Sequence, residues 1–264
     1  MIKKRIIPTL LLKEGRCVKG VNFINHRDVG HPVTNAKIYE AQGADELIFL
    51  DITASSEDRD TLLDIVAQTA DQCFMPLTVG GGIKDLEDIN NLLRAGADKI
   101  SINTAAVENP KFITEAAQKF GQQCVVVSID YKKNNKGGLE VFTRSGAKPT
   151  GLNPIEWAKK AADLGAGEIL LVSIDNEGAR AGYDLETIRK VSDSVDIPVI
   201  ASGGVGTMED LKKAILAGHA SAVSLASILH FTNQSVIKAR DYLANAGLEV
   251  RVDDLNINSP AKIL

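Results

Sequence analysis

Short runs of Ile, Val and Leu alternate along the chain with stretches in which apolar residues recur every three or four positions. The runs lie at 5–11, 45–51, 77–80, 98–103, 124–130, 168–174, 198–202 and 221–226. Few polar residues interrupt them, which is the pattern of strands buried on both faces of a parallel sheet. Helix-period stretches fall near 33–42, 58–73, 86–95, 109–120, 153–165, 184–194, 207–217 and 233–246. Eight strand–helix units in about 250 residues predict the α/β class and a closed (β/α)8 barrel. A doubly wound open sheet, which usually needs fewer units, is the competing fold.

An internal repeat favours the barrel. Gly43–Asp51 aligns with Gly165–Ser173, and Pro76–Gly82 with Pro198–Gly204, each at an offset of 122. Ala95-Gly96 and Ala217-Gly218 repeat at the same offset, each just before a strand. The first strands align at 119, Ile6–Leu11 over Val125–Asp130, and the intervening loops absorb the slip. The expectation is one TIM barrel over residues 1–251, built from two four-unit half-barrels, with 252–264 as a tail that carries no period. Two insertions stand out. Residues 13–31 are expected to form a long loop after the first strand, and such loops often act as lids. Residues 131–150, with Asn134-Asn-Lys-Gly-Gly138, predict a hairpin after the fifth strand.

Composition changes this picture little. Residues are 44% hydrophobic and 24% charged, and 30 basic against 34 acidic side chains leave a net charge of −4. That argues against a bulk basic surface for nucleic acid. No apolar run reaches membrane-spanning length, and the start Met1–Pro8 lacks the apolar core of a secretory signal. Cys17, Cys73 and Cys124 are odd in number and widely spaced, against a disulfide framework or a structural zinc site. A cytoplasmic protein without membrane or nucleic-acid partners is expected, with no metal or organic cofactor implied.

In a barrel of this kind chemistry sits at the C-terminal ends of the strands. Gly81 and Gly82 follow the third strand; Ser202, Gly203 and Gly204 end and follow the seventh at repeat-related positions. Asn103-Thr104 and Ala226-Ser227 hold matching places after the fourth and eighth. Glycine turns expose backbone N–H groups, and a small residue at a helix start completes an anion cradle. Two such cradles on one face imply a ligand with a phosphate at each end; tight turns alone are the alternative. Asp130 ends an apolar run, where a carboxylate is costly unless paired or used, and it is the candidate general acid or base, a structural acid being the alternative. Asp51 and Thr53 are either a cap or a wall of the site. Asp175 and Glu177 fall in a Gly-bearing loop and read as solvated unless the site uses them. Lys19 in the first insertion is placed to fold over an anionic ligand, although most loop lysines are merely solvated. His26, His31, His219 and His230 show no ligand spacing, and Trp157 reads as packing on the fifth long helix.

Together these stretches resemble the cyclase subunit of imidazole glycerol phosphate synthase, from about Lys4 to Arg251. The resemblance is carried by Lys4–Pro8, Gly15–Phe23, Ala44–Ser55, Thr78–Ile83, Ser101–Ala106, Gly165–Leu170 and Ala201–Gly204. It implies an enzyme of histidine biosynthesis that receives ammonia from a glutaminase subunit in a heterodimer. The ammonia passes along the barrel core and attacks a formimino ribulosyl-phosphate carboxamide ribotide. Cleavage and ring closure give imidazole glycerol phosphate and aminoimidazole carboxamide ribotide. In that family two aspartates act as acid and base; Asp130 matches the second and Lys19 the lid lysine. Arg5, Glu46, Lys99 and Glu168 match a charged gate at the barrel floor, and Asp98 matches an acid at the glutaminase interface.

The departures cluster on the opposite face. Position 11, where the resemblance implies the first catalytic aspartate, is Leu11, and the repeat sets Leu11 opposite Asp130. The family's Asp-Arg-Asp-Gly-Thr-Lys loop reads Asp175-Asn-Glu-Gly-Ala-Arg180, and Val172 stands where threonine is usual. Glu177 or Glu14 is the carboxylate expected to substitute. Two other readings follow: a paralogue that delivers glutaminase-derived ammonia to another substrate, such as a surface-polysaccharide sugar, or an inactive barrel that only activates a glutaminase.

Overall fold

β1 (Arg5–Lys13) opens a sheet that closes on itself. The chain, seen here in a computed structural model that describes residues 3–52 and 57–251, continues through an antiparallel pair, β2 (Arg16–Val21) and β3 (Ile24–Gly30). It then alternates α1 (Pro32–Ala41), β4 (Leu47–Asp51), α2 (Glu57–Ala70), β5 (Leu77–Gly80), α3 (Leu86–Arg94) and β6 (Lys99–Ile102). Two helices follow, α4 (Thr104–Glu108) and α5 (Lys111–Phe120), and then β7 (Val125–Lys133) with the small strands β8 (Leu139–Thr143) and β9 (Lys148–Pro149). The remainder runs α6 (Pro154–Asp163), β10 (Glu168–Ser173), α7 (Leu185–Ser192), β11 (Val199–Ser202), α8 (Met208–Leu216), β12 (Ala222–Leu225), α9 (Ser227–His230) and α10 (Val236–Asn245). The expected tail 252–264 and Thr53 lie outside the described residues.

Eight strands pair in parallel around the ring, β1-β4-β5-β6-β7-β10-β11-β12 and back to β1. This is the (β/α)8 barrel expected from the pattern, and the open sheet is excluded by closure between β7 and β10. All eight strand runs match to within three residues at either end.

The apolar residues divide into two cores. Residues on the outer face of the barrel pack beneath the helices in one continuous cluster that includes Phe49, Val79, Ile100, Val127 and Leu171. Inside the barrel, Ile7, Ile48, Val126, Leu170, Ile200 and Ala222 form a separate plug with Val172. The split follows from the two-residue period of a strand, which sends neighbours to opposite faces. Each fully buried Leu, Ile or Val contributes about 1.5–3 kcal/mol, so the outer cluster and the inner plug together hold the barrel shut.

Two expectations need correction. The expected lid loop 13–31 is an antiparallel meander: β2 pairs with the outer end of β1 (Leu11 with Val18), and β3 pairs with β2. β3 reads Ile-Asn-His-Arg-Asp-Val-Gly and is largely exposed, so it carries no apolar signal; pairing alone makes it a strand. The helical stretches 109–120 and 233–246 are each preceded by a separate short helix, α4 and α9. Pro110 holds Asn109 out of the helical region (φ −136°, ψ 88°). Ser235 starts α10 anew by accepting from the Lys238 N–H at 3.2 Å. The hairpin after the fifth strand is present as β7–β8.

Candidate functional site

At the floor of the barrel four charged side chains close a ring. The Arg5 guanidinium lies 2.6 Å from Glu46 and 2.5 Å from Glu168, and Lys99 Nζ lies 3.0 Å from each of the same carboxylates. Each acid touches both cations and each cation both acids. Such an arrangement compensates desolvation that an isolated buried charge could not survive. The four residues singled out in the sequence as a gate are therefore together in space. Glu46 and Glu168 are related by the 122-residue repeat, so the two acids face each other across the axis. Asp98 beside the ring accepts from the Leu77 N–H at 2.8 Å.

Above the ring lies the apolar plug, and above the plug a layer of hydroxyls. Thr9 and Ser224 share a hydrogen bond of 2.7 Å, and Ser202 donates to Ser224 at 3.2 Å. Ser128 Oγ donates to Asp130 at 2.8 Å. The spacing is again two residues along a strand: Thr9 then Leu11, Ser128 then Asp130. Of these hydroxyls the sequence singled out Ser202 alone, although the same alternation marks Thr9, Ser128 and Ser224 as inward-facing.

The top of the barrel holds a cavity of about 780 Å³. Its lining includes Lys19, Asp51, Gly81, Gly82, Asn103, Thr104, Asp130, Glu177, Ser202, Gly203, Gly204, Ala226 and Ser227, so the sequence-derived candidates for the upper face converge on one space. Gly81 and Gly203 are required by their turns. Gly81 has φ +102°, and a Cβ there would stand 2.0 Å from the Asp51 carbonyl oxygen. Gly203 has φ +89°, and its Cβ would stand 2.6 Å from the Ser173 carbonyl oxygen. Ser173 is Asp51 shifted by 122, so the repeat extends to the contact that forbids a side chain. Asn103 and Ala226 share an unusual backbone geometry before α4 and α9 (φ −123°, ψ −76° and φ −136°, ψ −84°). The two turn-and-helix arrangements are thus near copies, each suited to an anion.

Asp130 lies within β7, where the strand begins to pair with β8, and is held by Ser128 and by Asn103, whose Nδ2 donates at 3.0 Å. Burial pushes its carboxyl up to about 6, against the pull of these two donors. A carboxyl poised there exchanges a proton near neutral pH. Asn103 Nδ2 also donates to the Phe142 carbonyl at 3.1 Å, which fixes the amide plane. Its Oδ1 and the Ser101 Oγ are buried at the cavity wall with no hydrogen-bond partner among the described residues.

Lys19, expected to fold over an anionic ligand with a solvated loop lysine as the alternative, is 2% exposed and contacts the Glu177 carboxylate. Burial pushes its ammonium down to about 8. Glu177 is likewise buried rather than solvated, while Asp175 is exposed and accepts from the Lys133 N–H at 2.9 Å. Asn22 ties the meander to the same loop, its Nδ2 donating to the Ile174 and Asp175 carbonyls at 2.9 and 2.7 Å and its N–H to the Glu177 carbonyl at 2.8 Å. The sequence could not reveal this pairing because the partners lie more than 150 residues apart.

Leu11 also lines the cavity, and Glu14 is not among the lining residues; it sits exposed at the β1–β2 turn beside Lys13. Of the two carboxylates expected to substitute at position 11, only Glu177 reaches the space. His26 lines the cavity too, which its spacing did not announce. His230, by contrast, is packed at 3.3 Å from the Tyr39 hydroxyl, and burial pushes it down to about 4. Trp157 is buried on α6 as expected. Among the described residues no cluster of three His, Cys, Asp or Glu side chains is arranged for a metal, and no helix is long and apolar enough to cross a membrane. Compared with known families, the chain matches the family described as "Histidine biosynthesis protein" over residues 5–235.

Proposed function

From the premise that this chain belongs to the histidine biosynthesis protein family, we propose that it is the ammonia-using, cyclase-type member of that family, acting on a phosphorylated substrate at the upper cavity. The observation that carries this reading is the closed ring of Arg5, Glu46, Lys99 and Glu168 beneath a barrel interior that is polar again above its plug. A charged ring at the floor serves no purpose for a substrate bound at the top. It suits a gate through which a small neutral molecule enters. Ammonia crosses an apolar layer far more cheaply than ammonium, so the layers from floor to top favour delivery of NH3.

In this reading a glutaminase docks at the floor around Asp98 and the ring, and releases ammonia into the axis. The turns at Gly81–Gly82 with Asn103-Thr104, and at Gly203–Gly204 with Ala226-Ser227, hold the two phosphates of the formimino ribulosyl-phosphate carboxamide ribotide. Ammonia nitrogen attacks beside Asp130, with the unpartnered Ser101 and Asn103 oxygens accepting its N–H groups. Asp130 shuttles the proton as ring closure and cleavage give imidazole glycerol phosphate and the carboxamide ribotide. Leu11 cannot transfer a proton, so the second acid–base role falls to the Lys19–Glu177 pair, a buried ion pair lining the same cavity. Asp51 forms the wall next to Gly81.

Leu11 also favours a second reading, in which the same ammonia route serves a different electrophile that needs one carboxylate rather than two. An inactive glutaminase-activating barrel fits less well, because it leaves the tuned carboxyl of Asp130 without a use.

Turnover of the formimino ribulosyl-phosphate substrate with an ammonium salt, without glutaminase, tests the proposal. Turnover is expected, with a fall of about 10²–10⁴-fold in Asp130→Asn. A folded protein that binds the substrate but never converts it overturns the cyclase assignment in favour of the second reading.

A further inference from the structure

The two ends of the cavity share a backbone but differ in charge. Among the described residues, the lysine and arginine side chains that line it are Lys19, Lys84 and Arg144. Lys19 is closed against Glu177. Lys84 and Arg144 are exposed, and both belong to the β5–β6 end: Lys84 follows Gly82 by two residues, and Arg144 reaches α4 from the turn after β8. The β11–β12 end brings only Ser202, Gly203, Gly204, Val205, Ala226 and Ser227 to the same space. Arg144 is held in an unusual way. It and Ser145 are both left-handed (φ +53° each), a region L side chains seldom occupy. The Ala147 N–H closes the turn on the Arg144 carbonyl at 3.1 Å, and Gly146 is pressed against Phe23 and Ile174, where a Cβ would stand 3.1 and 3.2 Å from their side chains. The Arg144 N–H donates to Thr104 Oγ1 at 3.1 Å. A hydroxyl that accepts there keeps its own proton for another acceptor, so the turn orients the Thr104 O–H. The guanidinium meanwhile pairs with Glu108 at 3.1 Å. Thr104 and Glu108 are the first and last residues of α4, so they share a face and stand about 6 Å apart along its axis.

We propose that Arg144 is a phosphate-binding residue of the β5–β6 end: its guanidinium leaves Glu108 for a phosphate seated at Gly82 and Thr104, Lys84 adds its charge from beside Gly82, and this end becomes the tighter anchor of the two. The proposal rests on the two-phosphate reading above. The Arg144–Glu108 pair is exposed on both sides, 62% and 46%, and such pairs are weak. A phosphate dianion offers the planar guanidinium two parallel charge-assisted hydrogen bonds and more charge than a carboxylate. The exchange needs only rotation of the side chain, because the Arg144 backbone is already fixed at Thr104. Glu108 is not stranded by it, since Lys148 Nζ stands 3.5 Å from the same carboxylate oxygen. The corresponding turn of the first half-barrel, 22–25 after β2, reads Asn-Phe-Ile-Asn and carries no cation, so the second half alone supplies this clamp.

Inorganic phosphate, titrated into the full-length protein and followed by amide NMR shifts, reads the two ends separately, through Gly82 and Thr104 and through Gly204 and Ser227. Tighter binding is expected at Gly82 and Thr104. Arg144→Asn removes the charge with a residue that tolerates the left-handed region, and should weaken that end about tenfold while leaving the other unchanged. Glu108→Gln frees the guanidinium and should tighten the same end about two- to fivefold. Equal affinity at both ends of the unaltered protein, or no loss at Gly82 and Thr104 in Arg144→Asn, overturns the proposal and leaves both cradles intact. Loss at both ends alike in Arg144→Asn would make Arg144 a support of the fold and overturns it as well. Failure of Glu108→Gln to tighten binding overturns the exchange between carboxylate and phosphate. No shift at either end overturns the two-phosphate reading and this proposal with it.

Discussion

At the scale of the residue, Asp130 shows how position sets chemistry. Its two hydrogen-bond donors favour the carboxylate, yet burial dominates and the pKa rises to about 6. The folded state therefore binds a proton more tightly than the unfolded chain. The penalty for holding Asp130 ionised is absent below the unfolded value of about 4, grows as pH rises, and is complete above about 6. Asp130→Asn removes it. Denaturant unfolding at matched pH should find the variant more stable than the native protein by roughly 1–3 kcal/mol at pH 7.5, with the difference vanishing near pH 3.5. No gain at pH 7.5 would show that Ser128 and Asn103 already compensate the charge. Leu11 is the opposite case: a side chain that cannot titrate at the repeat-related position. The identity of both residues is plain from the sequence; the desolvation that tunes one of them is not.

At the scale of the element, the β2–β3 meander is tied to the loop after β10 by one ion pair and three hydrogen bonds from Asn22. Lys19 has no water to turn to if Glu177 loses its charge, and breaking such a buried pair costs about 3–5 kcal/mol. The cheapest relief is for the meander to lift. Glu177→Gln should accelerate amide hydrogen exchange across residues 16–30 while leaving β7 and β10 protected; unchanged exchange there would mean that Asn22 alone suffices. Helix starts behave more locally. Thr207 caps α8 in a reciprocal box with Asp210, and Thr207→Ala should cost about 1 kcal/mol in chemical denaturation. The box is legible in Thr-x-x-Asp. The meander is not, because β3 carries no apolar periodicity and its partners are distant in sequence.

At the scale of the whole molecule, the two half-barrels bring Glu46 and Glu168 to opposite sides of one axis, where Arg5 and Lys99 bridge them. Removing one acid leaves two cations sharing the other. Glu168→Gln is expected to lower stability by about 1–3 kcal/mol, less than for a fully buried pair because both cations keep some contact with water. Under the proposed function, in complex with a glutaminase, the product formed per glutamine hydrolysed should fall below one as ammonia escapes at a loosened floor. A ratio that stays at one in this variant would remove the ring from the ammonia route.

The sequence by itself determined the eight strands, the barrel, the repeat and the glycine turns, because each depends on local periodicity or on a backbone conformation that only certain residues adopt. It also marked the chemically capable residues of both ends of the barrel. Only the tertiary structure decided which of these meet. Closure of the sheet turned four scattered charges into a ring, burial raised Asp130 and depressed Lys19, and pairing across more than 150 residues made Glu177 the partner of Lys19. Those outcomes depend on desolvation and on distance through space, and neither is written in the order of residues along the chain.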